Sequence, residues 1–462
     1  MRSFSLSKRR IEPWFITVVL AALLPLLPEY IAPFLGVGTL VCAYRDARRH
    51  QRVFTIGPLG KLMLIYLLFL AVGILYSHNA MSAFTSWLMW AAMLTVYVAL
   101  HTVLIDRRRM DVALFGVSVA AGGVGGIACV QYFLRIACGF TGHLQLWYPL
   151  DSLVYRLSPV GINMEVVGNR ACSTFTNPNI MAEYLVAVIP FVALYAFGHR
   201  RSRTRMIARG CLILAVGGVF FSFSRGCYLA LLAIGCVFAV ANLRRLWLAF
   251  LSGFAVVALT PQAVIERLFS IQKVKRSVAP PPMATATQTA AAMAAVGADK
   301  AINERFQVWH ACLQSFFDHP LLGIGAGTGN TNAMLLSHGL NVPHAHNIVL
   351  QLLVEGGIVG LGIFAVAGFK ALQTGVRLTR RSGESRRSGV AIMAFLAAFC
   401  VSGMVEFPLF TPKLVGIFLL ALALVDGAGR LYLAQPACAL VDVVVPPLHR
   451  RLSDQVSAAR MK

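Results

Sequence analysis

The sequence predicts an all-α integral membrane protein with about twelve transmembrane helices and a long external loop between spans 9 and 10. Three observations carry that fold class. The chain of 462 residues is 58% hydrophobic and only 13% charged, and its mean hydropathy of +0.72 is far above what a water-soluble domain tolerates. The apolar residues come in segments of about 15 to 25, the length that crosses about 30 Å of hydrocarbon as a helix. The basic residues sit mostly between those segments, as orientation signals do. A single soluble core, a coiled coil and a disordered chain are excluded.

The chain opens on a basic stretch, Arg2 to Arg10, followed by an apolar run, Trp14 to Leu27. This resembles a signal peptide, but no small-x-small cleavage site precedes Pro28 and more apolar segments follow, so it reads as a membrane anchor. Helical spans fall at about 12–27, 30–44, 59–76, 84–104, 112–134, 179–197, 207–221, 227–242, 246–261, 347–369, 389–405 and 414–433. With both termini inside, 30 of the 41 basic residues lie in inside segments. The net charge of +23 is then an orientation signal, and nucleic acid is not needed to explain it. The N-terminal tail and the Arg45 to Arg52 cluster both read as inside. The two short opening spans therefore form a hairpin or dip only partway into the bilayer.

Ten cysteines contain no C-x-x-C pair and give no metal or redox framework. Cys138 and Cys172 fall in one external loop and could pair in an oxidising compartment, although packing accounts for both. That loop, about 135 to 178, carries Trp147, Tyr148 and Tyr155 and then a polar stretch from Asn169 to Asn179. A second loop, about 262 to 346, has in its middle, Ala279 to Ala298, a Pro-Pro-Pro run and Ala, Thr and Met repeats with too little bulky apolar content to pack. After it Phe306, Trp309, Leu313, Phe316 and Phe317 recur at helical spacing, as in a helix lying along the membrane interface and ended by Pro320. Gly323, Gly325, Gly327 and Gly329 match no nucleotide fingerprint and read as a tight external loop.

Polar residues at the outer ends of spans are the candidates for chemistry. Ser222-Phe223-Ser224-Arg225-Gly226 marks an external turn. Arg170 and Asn179 precede one span, and His344-Ala345-His346-Asn347 precedes another. The topology puts all three at one outer face, which suits an anionic substrate whose tail lies in lipid. Arginine offers a planar fork for phosphate oxygens, and a histidine can accept a proton from a hydroxyl. The plainer reading is that Arg170 and Arg225 snorkel to headgroups. For the histidines the alternatives are a helix cap or a zinc pair, and no third ligand lies at a recognisable spacing. Helical spacing would send His344 and His346 to nearly opposite sides, so that only one faces the site.

These residues resemble the O-antigen ligases and related O-antigen polymerases. The likeness runs from about 165 to 425. It rests on His346-Asn347, nine residues, then Gly357-Ile358-Val359-Gly360; on Ser224-Arg225-Gly226; on Phe175-Thr176-Asn177-Pro178-Asn179; and on Arg305 with Trp309 and Pro320-Leu321-Leu322-Gly323. The repetitive segment 279–298 departs from a compact family loop.

The resemblance divides the chain into N-terminal transmembrane helices (1–134), a ligase-like membrane domain (135–433) with a periplasmic loop at 262–346, and a cytoplasmic tail (434–462). It implies a metal-independent glycosyltransferase of the bacterial inner membrane, without cofactor, with both termini cytoplasmic and its site periplasmic. Such enzymes take a glycan from undecaprenyl diphosphate and pass it to a sugar hydroxyl, for ligases on the lipid A core. His346 would activate the acceptor, kept neutral by the positive rim. Arg225, Arg170 and Arg305 would hold the diphosphate, with Asn179, Asn347 and His344 beside them. A polymerase acting on a second carrier-linked glycan and a protein O-oligosaccharyltransferase share the signature. A polysaccharide-precursor transporter is the alternative of another class, but it should bury its charges near the midplane.

Overall fold

The computed structural model describes residues 11–138, 147, 170–198, 202–241 and 303–434. Every regular element among them is helical. The chain runs through α1 (Pro13–Leu23), α2 (Ala32–Arg49), α3 (Pro58–Tyr76), α4 (Ala80–Val103) and α5 (Arg107–Cys138), then α6 (Pro178–Ala196), α7 (Arg203–Phe221) and α8 (Arg225–Ala241). A helix over 303–318, here α9, follows. The last four are α10 (Thr328–Ser337), α11 (Ile348–Thr379), α12 (Gly383–Gly403) and α13 (Pro412–Leu433).

Eight of these helices, α3 to α7 and α11 to α13, are long and apolar enough to cross a membrane. Of the roughly twelve expected spans, these eight are found among the described residues. α1 has 11 residues before it tightens into a 3-10 turn at Leu24–Leu26, about 20 Å in all at 1.5 Å per residue. That is too short to span. α2 carries Arg45, Asp46, Arg48 and Arg49 in its last turns. The two pack on each other. Trp14 lies under the Arg109 guanidinium at 5.0 Å, and Asp46 accepts from the same guanidinium at 3.0 Å, so the pair is a hairpin that returns to its own side. α8 has 17 residues, and the expected span at 246–261 lies outside the described residues.

Hydrogen bonds sort the connections into two ends. At one, Tyr76 donates to the Leu322 carbonyl at 2.8 Å, the Asn79 N–H to Asn330 at 2.7 Å, and Lys413 to the Thr174 carbonyl at 2.7 Å. At the other, Arg107 pairs with Glu384, Arg386 donates to the Ala241 carbonyl, Arg387 to that of Phe197, and Arg430 to that of His101. The helices therefore alternate in direction, and the arginine-rich turns gather at the second end. Innermost are α6 and α13, while α3 and α7 keep most of their apolar surface exposed.

The glycine loop is built into a break in α11. Gly357 has φ 59° and ψ −158°, a conformation open to glycine and costly for other residues. In an unbroken helix the N–H groups of Ile358 and Val359 would bond the carbonyls of Val354 and Glu355. Here they bond those of Pro320 (2.9 Å) and Leu321 (3.3 Å), while the N–H groups of Ile324 (2.8 Å) and Gly325 (3.2 Å) take the freed carbonyls. Four backbone groups are thereby satisfied by exchange with residues 320–325. Glu355 accepts from the Gly327 N–H at 3.1 Å, and Gly329 donates to Ser82 at 2.9 Å, which seats the loop on the start of α4. The expectation of a tight loop here holds.

The aromatic stripe of α9 is shared between two environments. Val308, Ala311 and Cys312 face the protein, while Phe306 and Phe317 remain exposed. Trp309 is drawn inward by its Nε1–H, which donates to the Ala345 carbonyl at 3.1 Å.

Candidate functional site

Each motif reaches the site through local helix chemistry. Asn177 caps α6 by accepting the Asn179 N–H at 2.8 Å, with Pro178 in the first turn where its missing N–H costs nothing. The Asn179 side chain is thus left to bridge. Its oxygen accepts from Arg170, and its nitrogen donates to Glu406 Oε2 at 3.3 Å. Arg170 Nε also donates to the Ser222 carbonyl at 2.7 Å, in the turn where Phe223 takes φ 54° and after which Arg225 opens α8. A Cβ on Gly226 would lie 2.2 Å from Val405 Cγ2. The Ser-Arg-Gly turn therefore packs directly beside the segment that carries Glu406.

The histidine turn is held from both sides. Asn347 caps α11, accepting from the N–H groups of Val349 (2.9 Å) and Leu350 (3.1 Å), and donates to the Met404 carbonyl at 3.1 Å. The Ala345 N–H donates to Gln351 at 2.7 Å, and Trp309 holds the Ala345 carbonyl. Between them His346 has φ 49°. Residues 344 to 347 are not helical, and the two rings come together with centroids 4.3 Å apart. This corrects the expectation that they point to opposite sides. His346 Nδ1 bonds Glu406 Oε1, and His344 Nε2 lies 3.9 Å from the same oxygen. Asn347, expected to bind substrate, has its amide engaged as cap and staple.

Glu406 is the centre of the cluster. Burial works against its charge, but His346, His344 and Arg305 outweigh that and hold its carboxyl at about 2. Arg305 reaches Oε2 at 3.5 Å with its side chain 37% exposed. Burial first, then the field of His346, lowers His344 to about 3, so its buried ring is neutral, packed edge-on to Phe410 at 4.6 Å. His344 Nδ1 accepts the His346 N–H at 3.3 Å, which leaves its hydrogen on Nε2, towards Glu406. Being ionised, Glu406 can only accept. In its neutral form His346 would therefore carry its hydrogen on Nδ1, facing Glu406, with the lone pair on Nε2.

Glu406 was absent from the expected site residues. The signal was available, since it is an acidic residue at the outer end of an expected span, the criterion that selected Arg170 and the histidines. It also supplies the third ligand that the zinc reading lacked, because one ligand atom from each of His344, His346 and Glu406 lies within 4.8 Å of the others. Deeper in α6 is a second overlooked acid, Glu183, buried with no hydrogen-bond partner on either oxygen and within the field of Glu406. Cys138 and Cys172 are both free thiols.

The fold and site define a multi-pass membrane protein with an imidazole–carboxylate pair among arginines at one end of the bundle. Residues 210–365 match the family model described as O-antigen ligase, which bears out the resemblance carried by the motifs. The match runs from α7 through the glycine loop and the histidine turn into α11, past Gly360. No curated protein matches the chain.

Proposed function

We propose that the chain is an O-antigen ligase-like glycosyltransferase that moves a glycan from undecaprenyl diphosphate to a sugar hydroxyl of the lipid A core, at the periplasmic face of the bacterial inner membrane. The observation that carries this reading is the His346–Glu406 pair, with His346 a quarter exposed, set among Arg170 and Arg305 beside the turn that carries Arg225. As the acceptor oxygen bonds to the anomeric carbon, its proton passes to His346 Nε2 and the bond from that carbon to the diphosphate oxygen breaks. The electron pair leaves on the diphosphate, where the guanidinium groups meet the developing charge. Charges gathered at one end suit this chemistry better than alternating access from both sides.

The reading uses no metal. Both histidine nitrogens that face Glu406 carry hydrogens in this arrangement, and a dication there would meet Arg305. Transfer by purified protein should therefore survive a strong chelator. Loss that added zinc restores would move the assignment to a metal centre at His344, His346 and Glu406. A lipopolysaccharide gel from a deletion strain tests the acceptor: loss of all O-antigen from the core indicates a ligase, and a core with a single repeat indicates a polymerase.

Two further outcomes are expected. Reporter fusions near positions 205 and 380 should report the cytoplasm, and those near 150 and 300 the periplasm; a cytoplasmic signal at 300 would refute the topology. Arg225→Lys should lose most activity although charge is kept, because an ammonium cannot reproduce the planar fork. Transfer at the wild-type rate would make Arg225 a headgroup contact.

A further inference from the structure

The end of the bundle opposite His346 has a cleft of its own, between α5, α6, α12 and α13. Its depth is apolar, walled by Leu114, Phe191, Leu194 and Ile392, and its mouth holds Arg205, Arg387, Asp111 and Glu384. Glu384 pairs with Arg107, and Arg387 donates to the Phe197 carbonyl at 3.1 Å. Arg205 is differently placed. It is only 9% exposed, its guanidinium stands over the Tyr195 ring at 5.5 Å, and its Nη1 is buried with no hydrogen-bond partner. Asp111 lies within reach of its field, yet no carboxylate among the described residues comes within ion-pair distance of it.

An arginine cannot escape burial by losing its proton, so an unfilled donor inside a cleft asks for an acceptor from outside the chain. The cleft opens at the level where α5 and α12 begin and α6 ends, which is also where the arginine-rich turns gather. That is the headgroup level of a bilayer around these helices. Behind the guanidinium the cleft is closed by the buried side chains of Leu114, Phe191 and Ile392.

We propose that the mouth of this cleft binds the phosphate group of a membrane phospholipid, with Arg205 Nη1 and Arg387 on the phosphate oxygens and the acyl chains left in the surrounding bilayer. The site is separate from the transfer site, because α6 holds Asn179 in its first turn and Phe191 to Tyr195 towards its other end.

The test is thermal unfolding of the full-length protein in detergent, with added phosphatidylglycerol, diacylglycerol of the same chains, or inorganic phosphate. Phosphatidylglycerol should raise the wild-type Tm by several degrees, and native mass spectrometry should find it bound one to one; neither other probe should raise the Tm. Arg205→Gln should abolish the rise. So should Gly198→Ala, which keeps the charge but places a Cβ 1.7 Å from the present position of Arg205 Nη1. Diacylglycerol matching phosphatidylglycerol would reduce the cleft to an apolar groove. Phosphate alone matching it would make this a free-anion site. An undiminished rise in both variants would remove Arg205 from the site. The wild-type arms decide even if one variant fails to accumulate.

Discussion

His346→Ala is expected to cut glycan transfer by about 10²–10⁴-fold, the range removed with a general base, while the protein still inserts and accumulates. The side chain is partly exposed and its turn is held by Asn347, Gln351 and Trp309 rather than by the ring, so the backbone has little reason to move. Glu406→Gln should also lose most of the rate. An amide can present either a donor or an acceptor to Nδ1, so the tautomer that leaves Nε2 free is no longer enforced. His344→Ala should fall between these variants and wild type. It removes a neighbour of Glu406 and opens a space beside Phe410, but it does not touch the proton in flight. Rates come from purified protein with carrier-linked glycan and core acceptor, with and without chelator. A His346→Ala protein working within tenfold of wild type would sink the base assignment.

The sequence showed most of what makes up the site but not how it closes. Asn177-Pro178 and Asn347 are legible as caps because they act within a few residues of their own helices. Arg170, Asn179 and Arg225 are legible because polar groups at the ends of apolar spans need a reason to be there. What failed was an inference from periodicity. His344 and His346 were read as two positions on a helix, whereas the positive φ of His346 and the hold of Trp309 and Gln351, both set by tertiary contact, turn the rings together. Glu406 lies 60 residues from His346, and nothing local ties it to the histidine turn. The opening hairpin was legible from charge, because the N-terminal tail and the Arg45 to Arg52 cluster both read as inside. What the composition of Trp14 to Leu27 did not show is the early 3-10 turn that leaves α1 too short to cross.

Gly357→Ala is expected to destabilise the fold by at least about 2 kcal/mol, the scale of holding a non-glycine residue in strained backbone with overlap added. At φ 59° an added Cβ would sit 2.4 Å from the Leu321 carbonyl carbon and 2.7 Å from the Leu322 nitrogen. These are backbone atoms and cannot swing aside as a side chain would. Relief by restoring a regular helix would return Ile358 and Val359 to the Val354 and Glu355 carbonyls and strip Ile324 and Gly325 of theirs. The glycine loop would then lose its seat, and with it the support that α9 and α10 give the histidine turn. Gly360 provides the contrast, since it is helical and its Cβ would meet the Phe69 ring at 3.3 Å and the Leu352 carbonyl oxygen at an ordinary 3.7 Å, so Gly360→Ala should be much milder. Thermal unfolding of the purified variants separates the two, and transfer should fall with folded protein in Gly357→Ala. A Tm for Gly357→Ala equal to that of wild type would mean that the break in α11 does not hold the loop, and that this half of the motif has another purpose.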